Sequence, residues 1–432
     1  MFYNLQTIWP LVLLSAGLII FAAVFWRWPR QGGALVLFLA PLYLLKINSL
    51  PLTALEALMW LFVLVWLAAK IKNRQGDWLR ETLSGYSRGF WWALGFLLAG
   101  TFLAAVFSLD WRVSFGVVKA YFVAPLIFSL VLAEVFKKGS LKDIFLALFA
   151  SGVAVAAVSL GYLVLGHLTY DGRLAAWYLS PNHLAMWLAP GLLAGLSLLF
   201  EIKKSFLRFF LFAIGYSLLA VSIFFTYSYG AWFGLAAAAV FVLPCLWQLN
   251  LLEKKWLFAI GCSMLAVVAV VVFLQLNSDD ASKLKDLLVS PRSSWQSRLM
   301  IWQSAAAILG DNWLLGVGPG MFQSYYLAYQ QYFPPYLEWA APQPHSLFLA
   351  WWLQSGLLGL VGFVWLLIEF FRRVLKRLNK IPSWPAILLV AMMVYILAHG
   401  LVDTTFWKND LALLFWAAIF SFRDVFWRDN VA

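Results

Sequence analysis

Residues 143–166 read DIFLALFASGVAVAAVSLGYLVLG, one acidic residue followed by an unbroken run without a charge. A helix needs ~20 mostly apolar residues to cross a bilayer, so this stretch alone is a complete span. Working outward, the same reading gives candidate spans at 7–26, 32–48, 52–71, 90–108, 114–135, 183–200, 207–224, 231–248, 257–275, 346–371, 385–401 and 411–422. With 143–166 that makes thirteen, or twelve if the short second and last ones are not both spans. Composition agrees. Hydrophobic residues make up 64% and charged residues 12%, against about 25% charged in soluble domains. The expected fold is all-α and polytopic, one membrane domain over residues 1–432.

No basic residues precede the first span, and Trp26-Arg27-Trp28-Pro29-Arg30 follows it where a cleaved leader has small residues, so this span is expected to be retained. The net charge of +12 is not a nucleic-acid footprint, because its cations are spread over alternate connections. Lys70, Lys72, Arg74, Arg80 and Arg88 fill one connection, and Arg372, Arg373, Lys376, Arg377 and Lys380 another. The opposite short connections hold only Lys46, Arg112, Arg173 and Lys408. Cytoplasmic loops carry the Lys/Arg excess. The basic connections therefore lie inside and residues 277–344 outside. Cys245 and Cys262 both fall within spans and say nothing firm about redox compartment.

The outside segment 277–344 interrupts the spans and contains Arg292, Arg298 and Gly316-Val317-Gly318-Pro319-Gly320, with His345 where the next span begins. Arg298, Trp302, Ala305, Ala306 and Leu309 follow helical spacing and suggest an amphipathic helix lying on the membrane. Residues 321–332 are again helix-like and rich in Tyr and Gln. The glycine run allows tight turns but is weak evidence for a phosphate cradle by itself. Pro334, Pro335, Pro342 and Pro344 stiffen the return to His345. Cations and a titratable imidazole gathered on one side of a membrane suit an anionic, lipid-linked substrate.

Ionisable residues inside spans are costly and are functional candidates by default. Glu56 and Lys119 are two such residues; Lys119 serves either in a structural pair or toward substrate. Outside, Ser180 is placed to cap a helix that has Pro181 in its first turn, with Arg173, Asn182 and His183 nearby. A helix N-terminus suits a phosphate; His183 reads as packing. Thr226-Tyr227-Ser228-Tyr229-Gly230 forms another outside corner, on its own an interfacial belt. In the last outside turn, His399 to Asp403 and then Lys408, the charged pair has a structural reading: Asp403 bonds Lys408 or an arginine. No Walker-type loop and no His/Cys/Asp cluster of metal-ligand spacing occurs.

These segments together resemble the O-antigen ligase/polymerase superfamily of bacterial polytopic membrane glycosyltransferases. The matching motifs are Arg173 with Ser180-Pro181-Asn182-His183-Leu184-Ala185, and Thr226-Tyr227-Ser228-Tyr229-Gly230-Ala231-Trp232-Phe233-Gly234. Further on come Arg298, Trp302 and Gly316 to Phe322, then His345-Ser346 with Gly356-Leu357-Leu358-Gly359, and His399 to Asp403. The resemblance extends over about residues 90–425. It implies a GT-C-like fold and transfer of a glycan from undecaprenyl pyrophosphate to an acceptor hydroxyl on the periplasmic side of the inner membrane. The acceptor is a glycan or glycolipid, lipid A–core for ligases and another lipid-linked repeat for polymerases; some relatives glycosylate pilin.

By the same resemblance, Arg298 and His345 are the catalytic residues and Arg173 engages the pyrophosphate. Arg292, Asn182, Ser228, Tyr229, Lys119 and Asp403 are the further substrate-binding candidates, with neither cofactor nor metal. One departure stands out: Tyr229 occupies the place where the family pattern usually has an arginine. Arg292 or Lys119 is the candidate substitute. The competing class is a transporter or flippase of a lipid-linked saccharide. It is disfavoured because transporters commonly carry internal repeats and midplane sites, whereas this sequence has no repeat and its polar constellation sits on one face.

Overall fold

The computed structural model describes residues 16–47, 52–74, 76–136, 141–198, 206–248, 294–334, 338–378 and 384–427. The expected span 257–275, the first part of 7–26, Cys262 and Arg292 lie outside the described residues. Within them the chain runs through α1 (Ala16–Arg27), α2 (Pro29–Phe38), a 3-10 turn (Ala40–Leu44) and a short antiparallel pair, β1 (Lys46–Ile47) with β2 (Leu52–Thr53). There follow α3 (Ala54–Lys72), α4 (Trp78–Ser84), α5 (Arg88–Val106), α6 (Trp111–Val118), α7 (Ala124–Phe136), α8 (Lys142–Val164), α9 (Pro181–Gly195), α10 (Phe206–Phe225) and α11 (Tyr229–Gln248). The last third holds α12 (Ser294–Asn312), α13 (Phe322–Tyr329), α14 (Leu347–Leu378), α15 (Trp384–His399) and α16 (Asn409–Trp427).

Among the described residues, five helical stretches are long and apolar enough to cross a membrane unaided, and shorter apolar helices accompany them. Helices are what a membrane demands, because every backbone polar group must be satisfied without water. Their outer faces turn Trp92, Phe102 and Leu103 of α5 and Phe206, Leu207 and Phe210 of α10 outward. The chain is an all-α polytopic membrane protein. Its shared core is aromatic: Trp351, Phe363, Phe406, Trp407, Phe415 and Trp416 stack or meet edge-on between α14 and α16.

Three expected spans differ in detail. The span 32–48 is broken, since α2 stops at Phe38 and Pro41 sits in the 3-10 turn; proline lacks the N–H that a continued helix needs. The span 114–135 passes through a π turn at Lys119–Val123 between α6 and α7, a form common where a helix is bent for a purpose. α14 is two helices that meet at Gly356, whose φ of 66° and ψ of −178° leave helical space. Only glycine takes that conformation readily. The break is closed from outside the helix. Leu357 N–H donates to Leu314 O at 3.0 Å, and Val317 N–H donates to Leu353 O at 2.6 Å.

The membrane half of α14 seats against α5 at backbone distance. A Cβ on Gly362 would collide with the backbone of Leu97, and one on Gly100 with Gly359. Neither neighbour is the end of a flexible side chain, so there is nowhere for the added carbon to go. Gly362→Val is expected to destabilise the fold by at least about 3 kcal/mol, the upper end for overpacking. Thermal unfolding of purified protein in detergent checks this; an unchanged midpoint would mean that the two helices do not meet there.

The segment expected to lie outside differs from expectation in what α12 covers. α12 buries Ser297, Met300, Ile301, Ser304, Ala305, Ile308 and Leu309, while Ala306 is exposed. This face packs on Phe322 and Tyr326 of α13, on Val317, and on Leu353 of α14. The helix is thus the base of a small capping core instead of lying with its apolar face against lipid.

Candidate functional site

The glycine run stands apart from the charged residues and explains itself structurally. Gly316, Gly318 and Gly320 have φ of 70°, 95° and 79°. The N–H of Gly320 is spent on Gln354 Oε1 at 2.9 Å, and Pro319 O accepts from Ser114 Oγ at 2.8 Å. With Val317 N–H also taken, this run is the plug that seals broken α14, not an open cradle for phosphate.

The charged residues gather at helix ends elsewhere. α9 begins at Ser180, whose Oγ accepts from His183 N–H at 3.2 Å, and Pro181 fills the first helical position. This cap aims Asn182 at two partners at once. Arg173 Nη2 donates to Asn182 Oδ1 at 2.7 Å, and Asn182 Nδ2 donates to Asp403 Oδ2 at 2.7 Å. Arg173 is held in turn by its Nε, which donates to Thr226 O at 2.8 Å, and by Asp171 at 3.8 Å. Its loop is fixed to the end of α10 through Leu174 N–H to Phe225 O.

Asp403 is the hub. It is 5% exposed, and Oδ1 accepts Thr404 N–H at 2.8 Å and His345 Nδ1 at 3.0 Å. Arg298 Nη2 stands 4.0 Å from Oδ2, while Arg298 Nε donates to Val402 O at 2.9 Å. Burial alone would raise the Asp403 carboxyl, but the hydrogen-bonded His345 and the nearby Arg298 outweigh it and hold the group well below its ordinary value. Burial, opposed by Asp171, pulls the Arg173 guanidinium below its usual value, and the nearby Arg298 adds to the fall.

His345 sits on strained backbone, with φ of 46°, directly after Pro344. Trp302 Nε1 donates to Pro344 O at 3.0 Å, and Leu347 N–H donates to Gly400 O at 2.6 Å, so both sides of the strained residue are clamped. A carboxylate only accepts, so the proton lies on His345 Nδ1. In the neutral ring, Nε2 keeps its lone pair, and the side chain makes no other hydrogen bond among the described residues. One third of it is exposed (33%). An imidazole fixed on one nitrogen and open at the other can accept or orient a proton.

The structure thus brings together Arg173, Asn182, Asp403, His345 and Arg298. Tyr229 opens α11 close enough to Arg173 to act on its charge, and Ser228 is buried beside it with no hydrogen bond to its Oγ. Lys119 is not drawn into this network. Its ammonium lies 3.2 Å from Glu56 Oε1, and Glu56 also closes a capping box with Thr53 at the start of α3. Asp403 is bonded to His345 and near Arg298, so of the partners open to it in sequence the arginine holds, and the histidine adds to it.

Sequence reasoning placed His399 in the outside turn but missed that it is buried, with its Nδ1 meeting Tyr395 OH at 2.9 Å. It also missed the His183–Asp410 pair at 3.1 Å. The first is a contact between successive turns of α15, and the second joins residues 227 apart in sequence; the visible signal was only a histidine or aspartate near a helix end. No group of three His, Cys, Asp or Glu side chains is placed to hold a metal ion among the described residues.

Residues 214–364 match the family model described as O-antigen ligase. Among curated proteins none matches the chain. The matched stretch runs from within α10 into α14 and so takes in Ser228, Tyr229, Arg298 and His345, whereas Arg173, Asn182 and Asp403 reach the same site from outside it. With the arginine–aspartate–histidine network, this match supports membership of the O-antigen ligase/polymerase superfamily.

Proposed function

We propose that the protein is a metal-independent glycosyltransferase of the bacterial inner membrane, facing the periplasm. It moves a glycan from a polyprenyl-pyrophosphate carrier, undecaprenyl pyrophosphate in bacteria, to the hydroxyl of a glycan or glycolipid acceptor. Residues 277–344 are, in this reading, an extracytoplasmic insertion in a single membrane domain. The observation that carries it is the unbroken path from Arg173 through Asn182 and Asp403 to His345, with Arg298 alongside. Departure of a pyrophosphate needs fixed cations, and attack by a hydroxyl needs somewhere for its proton to go. This network supplies both.

The acceptor oxygen attacks the anomeric carbon while the bond from that carbon to the pyrophosphate oxygen breaks. Charge builds on the leaving group, and guanidinium N–H groups of Arg173 and Arg298 that no acceptor claims among the described residues bond it. His345 Nε2 takes or orients the hydroxyl proton while Nδ1 stays on Asp403. Ser228 and Tyr229 flank the donor beside Arg173. A single displacement inverts the anomeric centre.

Proteoliposomes carrying the full chain, supplied with a labelled lipid-pyrophosphate donor, an acceptor glycolipid and excess chelator, are expected to form product and release polyprenyl pyrophosphate. Movement of donor across the bilayer without product would replace the reading by a transporter. Loss of product that Mg²⁺ or Mn²⁺ restores would remove metal independence.

A further inference from the structure

The first turn of α9 holds two consecutive polar side chains, and they grip opposite ends of one turn. Asn182 bonds Asp403 just after α15, and His183 bonds Asp410 at the start of α16, at 3.2 Å and 3.1 Å from its two carboxylate oxygens. Between these anchors, Thr405 Oγ1 donates to Ile396 O at 2.9 Å, and Phe406 and Trp407 are buried in the aromatic core. The turn from Asp403 to Asp410 is therefore a bracket fastened at both ends by neighbouring residues.

The His183 end is completed on every side. Tyr43 OH meets His183 Nδ1 at 3.1 Å, and the ring of Tyr178 stands edge-on with centroids 4.8 Å apart. Asp410 Oδ1 also accepts Leu411 N–H at 2.9 Å. Since Asp410 can only accept, His183 carries its proton on Nε2, and its Nδ1 accepts the hydrogen bond that Tyr43 O–H donates. His183 is 1% exposed and Asp410 is fully buried, so no substrate reaches either. Nothing in the proposed transfer step uses them.

We infer that His183, acting through Asp410, is a positioning residue that sets where the Asp403 carboxylate lies and hence how His345 is aimed. The inference rests on the transfer reaction proposed above. Without the imidazole, the buried carboxylate keeps, among the described residues, only the Leu411 N–H as a bonded donor, and the start of α16 must move to find another. Asp403 is on the same bracket and moves with it. A displacement near 1 Å in a site that orients a proton acceptor is worth about 10²-fold in rate.

Turnover is measured with the lipid-pyrophosphate donor in proteoliposomes for wild type, His183→Leu, His183→Gln, Tyr43→Phe and His345→Ala, each checked to be folded. His183→Leu is expected to lower kcat tenfold to a hundredfold with the donor KM within about twofold, because donor cations are untouched. His183→Gln, which can still donate to Asp410, is expected to recover most of that loss, and Tyr43→Phe to cost less than His183→Leu. If His183→Leu does not fold, the Gln and Phe variants still decide: wild-type kcat in Tyr43→Phe, together with no more activity in His183→Gln than in a folded Asp410→Asn protein, overturns the inference. So does wild-type kcat in a folded His183→Leu protein. Should His345→Ala itself turn over normally, the transfer reading falls instead, and the two failures are told apart.

Discussion

Glycan transfer is expected to fall by about 10²- to 10⁴-fold when His345 is replaced by alanine, the range for loss of a positioned proton acceptor. The loss should appear in kcat. In the proposed reaction the pyrophosphate is held by Arg173 and Arg298 whether or not the imidazole is present, so the donor KM should stay near its wild-type value. His345 is one-third exposed and its structural anchors are backbone groups, Trp302 Nε1 to the carbonyls and Leu347 N–H to Gly400 O. The alanine protein is thus expected to fold and insert, with Asn182, Thr404 N–H and Arg298 still on Asp403. It should unfold at a lower midpoint than wild type, because Asp403 loses its imidazole partner. Arg298→Ala should differ in kind: about 10²- to 10³-fold in rate for a lost oxyanion-type contact, with a raised donor KM. Normal turnover in both proteins would remove these residues from the reaction.

Asp403→Asn is expected to damage both activity and stability. The amide loses the charge that draws Arg298, and its NH₂ group faces donors from Asn182, Thr404 or His345 that need an acceptor. One partner of a buried charged network is removed and the rest are stranded, a loss of about 3–5 kcal/mol. Transfer should fall about 10²-fold or more, because His345 is no longer fixed on Nδ1. The pH dependence has a definite sign. A carboxyl held below its ordinary value contributes stability that is complete above the unfolded pKa, near ~3.9, and disappears as pH drops through the folded value. The gap in unfolding midpoint between wild type and Asp403→Asn should be level from pH 8 to 5 and begin to shrink below about pH 4. A gap that already closes between pH 7 and 5 would mean that Asp403 is not held ionised by this network.

Much of this was readable in sequence. The spans followed from run length, and the motifs from Arg173 to Asp403 were recognisable in order along the chain. What escaped was pairing across distance. Asp403 bonds a histidine 58 residues away and an asparagine 221 residues away, and no local periodicity encodes either. Lys119 could be assigned to substrate or to a structural pair with equal reason until Glu56 was found 3.2 Å away. The run from Gly316 to Gly320 has the composition of an anion loop, yet its Val317 and Gly320 N–H groups are taken by Leu353 O and Gln354 Oε1 at a break in α14 that only the φ of Gly356 reveals. The face of α12 was misplaced because Ala306 matches the helical spacing as well as Ala305 does, while only a partner helix decides which is covered.

The break at Gly356 divides α14 between two masters. Its outer piece is tied to the 314–317 turn at one end and to Gly400 at the other. It serves two cores at once: Leu353 packs with α12 and α13, while Leu347, Ala350 and Trp351 belong to the shared core of the spans. A side chain at Gly356, whose Cβ would meet Leu314 O, is therefore expected to disturb both cores together.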